Sequence, residues 1–290
     1  MSQIIESLSE ISHNYDALLV DLWGCMHDGI KAFPEAVAAM QTYRATGGKV
    51  VLLTNAPRPR AGVAPQLEQF GVPEDSFDVI VTSGDSARAA MFNGMIGSKL
   101  WFIGQDRDEP FFKPLNVIKN PVEIERVPLE EAEGIICTGP FDASADPEGM
   151  RAQFLYAKTK GLKMICANPD IVVDRGETRE WCAGALAKLY AEMGGTAHYF
   201  GKPHPPIYDL AYRRLEAIGH KVDKSRILAI GDGALTDIPG AMGEDIDSVF
   251  ITGGLAASET KTDRQPNPDA LQTYLVQEKI SPTYSIGFLR

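Results

Sequence analysis

The sequence lacks the loops that mark the commonest catalytic and nucleotide-binding chemistries. It has no GxxxxGK[ST] segment, no GxGxxG after an apolar strand and no GxSxG elbow, which excludes the usual nucleotide-phosphate loops and the common serine-hydrolase arrangement. Cysteine is scarce: Cys25, Cys137, Cys166 and Cys182 form no CxxC pair and show no zinc spacing, so buried free thiols in a reducing compartment are expected. Positive charge is in short supply as well, with 28 Lys and Arg against 39 Asp and Glu and a net charge of -11, which argues against nucleic acid as a partner. A small anion is not excluded, since a bound cation and oriented backbone N–H groups can hold phosphate inside an acidic protein. No apolar run approaches the roughly 18 residues of a membrane span, and "MSQIIESLSE" has neither a basic n-region nor an apolar h-region. The expectation is a cytoplasmic protein without membrane contact.

What is present is an ordinary globular composition, 44% hydrophobic and 23% charged over 290 residues, enough for two domains. The runs "ALLVDL", "KVVLLTN", "DVIVTS", "RILAIGD" and "SVFITGG" are continuously apolar rather than alternating, as expected of strands buried on both faces of a parallel sheet. Between them "FPEAVAAMQTYRATGG" and "PPIYDLAYRRLEAIG" read as helices, with prolines in the first turn and glycines as stops. A second α/β set, with strands "KLWFIG", "GIICTG" and "LKMICANPD" and helices "PEGMRAQFLYAKTKG" and "EWCAGALAKLYAEMGG", interrupts the first. The expected fold is therefore α/β, a Rossmann-like parallel-sheet core of residues 1–86 and 200–290 with an inserted α/β cap domain over 87–199. "KTDRQPNPD" reads as a surface loop, and there is no internal repeat.

Four strands end in Asp21, Thr54, Ser83 and Asp232. In an open parallel sheet ligands bind beyond the carboxyl ends of the strands, so these endings are expected to converge. Taken singly, each residue has a structural explanation as a turn former or helix cap, and Lys202 in "FGKPHPP" could be a solvated charge. Their order and contexts taken together resemble the haloacid dehalogenase superfamily of aspartate-nucleophile hydrolases: "LLVDLWG", "VLLTN", "GKP" and "IGDGALTD" are similar to its four motifs. The inserted domain and the "ANPD" ending at Asp170 are similar to class IIA, the branch with a C2-type cap that includes sugar-phosphate and p-nitrophenyl phosphatases.

That resemblance implies a Mg²⁺-dependent hydrolase of small phosphomonoesters acting through an aspartyl-phosphate. Asp21 would be the nucleophile and, with Asp232 and the backbone carbonyl of Trp23, a metal ligand. Lys202 and Thr54 would complete the catalytic set, Thr54 Oγ and the Asn55 N–H would hold the phosphoryl group, and Asp237 would support the metal from behind or through Lys202. Asn168 and Asp170 would bind substrate from a charged loop that also carries Asp174, Arg175, Glu177 and Arg179. The implied partner is a small phosphorylated metabolite, with a homodimer left open.

Trp23 departs from the pattern. The family's phosphatases carry at this position an Asp that protonates the leaving oxygen, a contribution of roughly 10² to 10⁴ in rate. Three readings stay open: a phosphatase that acts slowly, or on good leaving groups, or with an acid borrowed from His27, Asp28, the cap or the substrate; a phosphate- or metabolite-binding protein without turnover; and a 2-haloacid dehalogenase. The superfamily's dehalogenases place a Tyr at this position, but they need no Mg²⁺ and depart from the two-aspartate fourth motif kept here.

Overall fold

The computed structural model describes residues 2–114, 118–175 and 178–290. The chain divides into two compact units, one of Met1–Thr54, Ala64–Val81 and Tyr208–Arg290, the other of Asn55–Val63 and Thr82–Ile207.

The first unit is built on a seven-stranded sheet in the order Gln3–Ile4, Tyr284–Ile286, Asp247–Ile251, Ile227–Gly231, Ala17–Val20, Lys49–Thr54, Val79–Thr82. Pairings from Gln3–Ile4 through Lys49–Thr54 are parallel. Ala17–Val20 and Ile227–Gly231 are buried along their whole length, which is why their sequences run apolar without alternation. They pair in the register Ile230 to Val20, so the residues that follow each strand emerge at the same edge. The helices Pro34–Ala45 and Pro205–Ala217 follow the proline and glycine signals, and Gly47 and Gly219 both adopt positive φ beyond them. Two outer strands, Gln3–Ile4 and Tyr284–Ile286, are too short to carry a sequence pattern.

The second unit holds a parallel five-stranded sheet in the order Thr196–Tyr199, Lys163–Cys166, Gly134–Cys137, Lys99–Ile103, Glu125–Arg126. Its core gathers around Phe154 and Tyr190, whose rings lie 5.3 Å apart and whose tyrosine hydroxyl donates to the Leu162 carbonyl at 2.6 Å. Cys137 and Cys166 are paired in register, buried and free, with burial pushing the Cys166 thiol up to about 12.

Two expectations need correction. Glu180 and Trp181 do not open a helix: they belong to Thr178–Trp181, which pairs antiparallel with Val172–Arg175, and the helix starts at Ala183. The segment read as a charged loop is thus mostly a two-stranded ribbon, and Glu177 lies outside the described residues. The loop "KTDRQPNPD" also ends early, because Asn267 caps a helix that begins at Pro268 by accepting from the Ala270 N–H. Among the described residues no helix is long and apolar enough to cross a membrane.

One carboxylate ties helix to sheet in the first unit. Asp78 accepts from the Val50 N–H at 2.9 Å and from Arg44 Nε and Nη2 at 3.0 and 2.9 Å. Asp78→Ala leaves these donors unmatched, and a loss of about 2–4 kcal/mol is expected, read as a fall in the urea midpoint.

Candidate active site

The centre of the first unit is a pair of carboxylates at adjacent strand ends. Asp21 donates its N–H to the Ile230 carbonyl at 2.8 Å, continuing the ladder by one residue, and Asp232 follows Gly231 on the neighbouring strand. Both are buried, at 9% and 6% exposure, and their oxygens lie with Cys25 Sγ within 4.8 Å of one another. Two carboxylates held this close away from water repel unless one is protonated or a cation stands between them.

The surroundings favour the cation. A Cβ on Gly24 would fall 2.2 Å from Asp232 Oδ2, and one on Gly254 would fall 2.0 Å from the same oxygen. Gly24 also needs its φ of +77 for the turn after Trp23. Side chains are thus kept off the Asp232 carboxylate, whose Oδ2 also accepts from the Leu255 N–H at 3.0 Å. Two hard oxygen donors in an uncovered cradle fit a divalent cation such as Mg²⁺.

Asp237 lies behind this pair. Its Oδ2 accepts from the Gly233 N–H at 3.1 Å and from Thr236 Oγ1 at 3.4 Å, and a Cβ on Gly231 would lie 2.1 Å from its Cγ. The spacing in "GDGALTD" is therefore mechanical: the first residue of the helix Asp237–Glu244 reaches back and fixes the turn that carries Asp232.

Trp23 is built into the flap that follows Asp21. Trp23 and His27 bridge to each other, the Gly24 N–H donates to the His27 carbonyl at 2.9 Å, and the two rings meet edge-on with centroids 5.4 Å apart. The indole also lies against Gly29, where a Cβ would fall 2.3 Å from Trp23 Cζ2. Neither neighbour is placed to replace the missing acid. His27 is buried between Trp23 and Phe70, its Nδ1 accepts the Gly29 N–H at 3.0 Å, and burial pushes its pKa down to about 4, so it is neutral near pH 7. Asp28 is held below the usual carboxylate range: burial works to raise it, but the N–H groups of Lys31 and Ile30, at 2.8 and 2.9 Å, outweigh that and keep it ionised. The loan of an acid from either residue is therefore not supported.

Thr54 closes the strand Lys49–Thr54 in the first unit and is buried. The second unit holds Asn55, Asn168, Asp170 and Lys202 in one network. Asn55 Oδ1 accepts from the Lys202 N–H at 2.7 Å, while its Nδ2 donates to the Lys202 carbonyl at 3.1 Å and to Asp170 Oδ1 at 2.8 Å. Asn168 Oδ1 accepts from the Asp170 N–H at 3.0 Å. Asn55 thus directs its amide to the backbone that carries Lys202 and is held by the Asp170 carboxylate, while Lys202 itself is only 2% exposed. A lysine so deeply buried needs anionic company. Gly201 keeps the strap closed, since a Cβ there would fall 2.3 Å from Asn55 Oδ1 and 2.8 Å from the buried, unpartnered Ser83 Oγ.

Sequence reading missed Cys25, taken with the other thiols as simple core, and the two glycines around Asp232. The signal available was position: Cys25 follows Asp21 within one short flap, and Gly254 ends the strand run "SVFITGG".

Comparisons with known proteins agree on one family. Residues 18–117 match the model for haloacid dehalogenase-like hydrolases, and residues 199–277 match a second, HAD-hydrolase-like model. A crystal structure of a haloacid dehalogenase-like hydrolase from Brucella suis is 39% identical, with a TM-score of 0.85 over 99% of this chain and 100% of that one. The 5'-nucleotidase YutF of Bacillus subtilis is 25% identical over 88% of this chain and 93% of its own length. The glycerol phosphate phosphatase of Mycobacterium tuberculosis, solved with magnesium, shares the fold at 23% identity and a TM-score of 0.63, covering 84% of this chain and 70% of that one.

The cradle makes a direct prediction. Gly254→Ala drives a methyl group into the Asp232 carboxylate, so Mg²⁺ binding measured by calorimetry is expected to weaken about tenfold or more, a loss of roughly 1.4 kcal/mol.

Proposed function

We propose that this chain, which belongs to the haloacid dehalogenase-like family of hydrolases, is a phosphatase of its class IIA branch that hydrolyses small phosphomonoesters with Asp21 as nucleophile. The observation that carries this reading is the buried Asp21 and Asp232 pair in a cradle that glycines keep open. The names of the relatives, a 5'-nucleotidase and a glycerol phosphate phosphatase, support the same reaction class.

Magnesium, held by Asp21, Asp232 and the Trp23 carbonyl, would supply the positive charge that lets a carboxylate approach a phosphate. An Asp21 oxygen attacks phosphorus, the ester P–O bond breaks, and the leaving oxygen departs with its electron pair. Water then attacks the aspartyl-phosphate, releasing inorganic phosphate and restoring the carboxylate. Thr54 Oγ and the Asn55 N–H hydrogen-bond the phosphoryl oxygens, and the Lys202 ammonium neutralises their charge. Asn168 and Asp170 contact the substrate, and Asp170 also accepts from the Asn55 amide that holds the Lys202 backbone. In the same reading residues 1–86 and 200–290 act as hydrolase core and 87–199 as cap, the partner is a small phosphorylated metabolite, and the four free cysteines suit a cytoplasmic setting.

With Trp23 where an acid is expected, no side chain in the flap protonates the leaving oxygen. Substrates whose leaving groups depart as stable anions are therefore favoured. A dehalogenase is disfavoured because both fourth-motif carboxylates, Asp232 and Asp237, are kept and engaged.

Phosphate release from p-nitrophenyl phosphate is expected with Mg²⁺ and is expected to disappear in Asp21→Asn. Activity that survives both metal removal and that substitution would overturn the reading, and tight phosphate-ester binding without turnover would replace it with a binding function. Trp23→Asp is expected to raise turnover of alkyl phosphates more than that of aryl phosphates, by about tenfold or more if the acid is restored. Trp23→Asn, which opens the same space over Gly29 without a transferable proton, separates acid catalysis from repacking; equal gains in both variants would refute the missing-acid account.

A further inference from the structure

We propose that Cys25 is a third side-chain ligand of the cation held between Asp21 and Asp232, making the centre a mixed oxygen and sulfur site that binds thiophilic divalent cations such as Cd²⁺ or Zn²⁺ in preference to Mg²⁺. The inference rests on the cation site of the proposed function and adds to it a ligand of different chemistry.

The geometry is that of one coordination sphere. Donors bound at about 2.0–2.5 Å from a single ion lie at most about 4–5 Å from each other, and Cys25 Sγ and the two carboxylate oxygens fall within 4.8 Å. The thiol is 1% exposed. It is delivered by a tight turn in which the N–H groups of Met26 and His27 both donate to the Leu22 carbonyl, at 2.8 and 3.1 Å, and Gly24 supplies the positive φ. The same glycine keeps a Cβ off Asp232, so one residue both aims the sulfur and opens the carboxylate.

The donor chemistry sets the preference. Mg²⁺ is a hard ion that takes oxygen ligands and gains little from sulfur, whereas Zn²⁺ and Cd²⁺ bind thiolate strongly. Binding of the softer ion forms a metal–sulfur bond, and the thiol proton passes to solvent with no change of oxidation state. The other three cysteines are all in the second unit, and among the described residues none joins such a group. The expected site therefore carries a single sulfur.

The test titrates the full-length protein with Cd²⁺ and follows the ultraviolet sulfur-to-metal charge-transfer band, with calorimetry for Mg²⁺. The wild type is expected to develop the band at one equivalent and to lose it when excess Mg²⁺ displaces the ion. In Cys25→Ser the band is expected to vanish and Cd²⁺ affinity to fall about tenfold or more, while Mg²⁺ affinity changes by no more than about twofold. Asp232→Asn, which leaves the thiol in place, is expected to lose the band too, so the proposal stays testable even if Cys25→Ser does not fold. Mg²⁺ binding without any cadmium–sulfur band, or a band that persists in Cys25→Ser, overturns the inference and leaves the phosphatase reading standing. Failure of the wild type to bind either ion would instead sink the cation site itself.

Discussion

The parallel pairing of Ala17–Val20 with Ile227–Gly231 brings two aspartates to one sheet edge, and the local structure is arranged around that confrontation. Buried like charges are costly, and a protein that keeps them must compensate locally. Here the compensation is visible in what has been removed: Gly24, Gly231, Gly233 and Gly254 each stand where a methyl group would collide with Asp232, Asp237 or the turn between them. Backbone takes the place of side chains beside both Asp232 and Asp237.

The second unit solves a related problem by other means. Burying a lysine is costly, and here its backbone is fixed on both sides of the residue. Asn55 does this with one amide, which grips both the N–H and the carbonyl of Lys202 and is steadied in turn by Asp170. Residues 147 positions apart in sequence thereby behave as one turn. Asn55 and Asp170 are thereby tied to the loop that carries Lys202.

Much of this could be read from the sequence because the residues concerned obey local rules. Continuous apolar runs gave the central strands, proline and glycine punctuation gave the helices Pro34–Ala45 and Pro205–Ala217, and the matched strand endings pointed to Asp21 and Asp232. What escaped was non-local. Glu180 and Trp181 fit a helical pattern but are claimed by a strand partner, Val172–Val173, that no local propensity announces. Cys25 resembled three other buried thiols, and only the folded flap distinguishes it by setting its sulfur beside two carboxylates. His27 and Asp28 looked like available acids because a sequence does not display an acceptor already in use or a carboxylate already solvated by N–H groups.

The contact between Trp23 and Gly29 makes the two positions one packing unit. The glycine stands at φ +84, and a Cβ there would fall 2.3 Å from Trp23 Cζ2. A smaller side chain at 23 alone would leave the flap hollow, and a side chain at 29 alone would strike the ring. The flap therefore accommodates change at these two positions best as a pair.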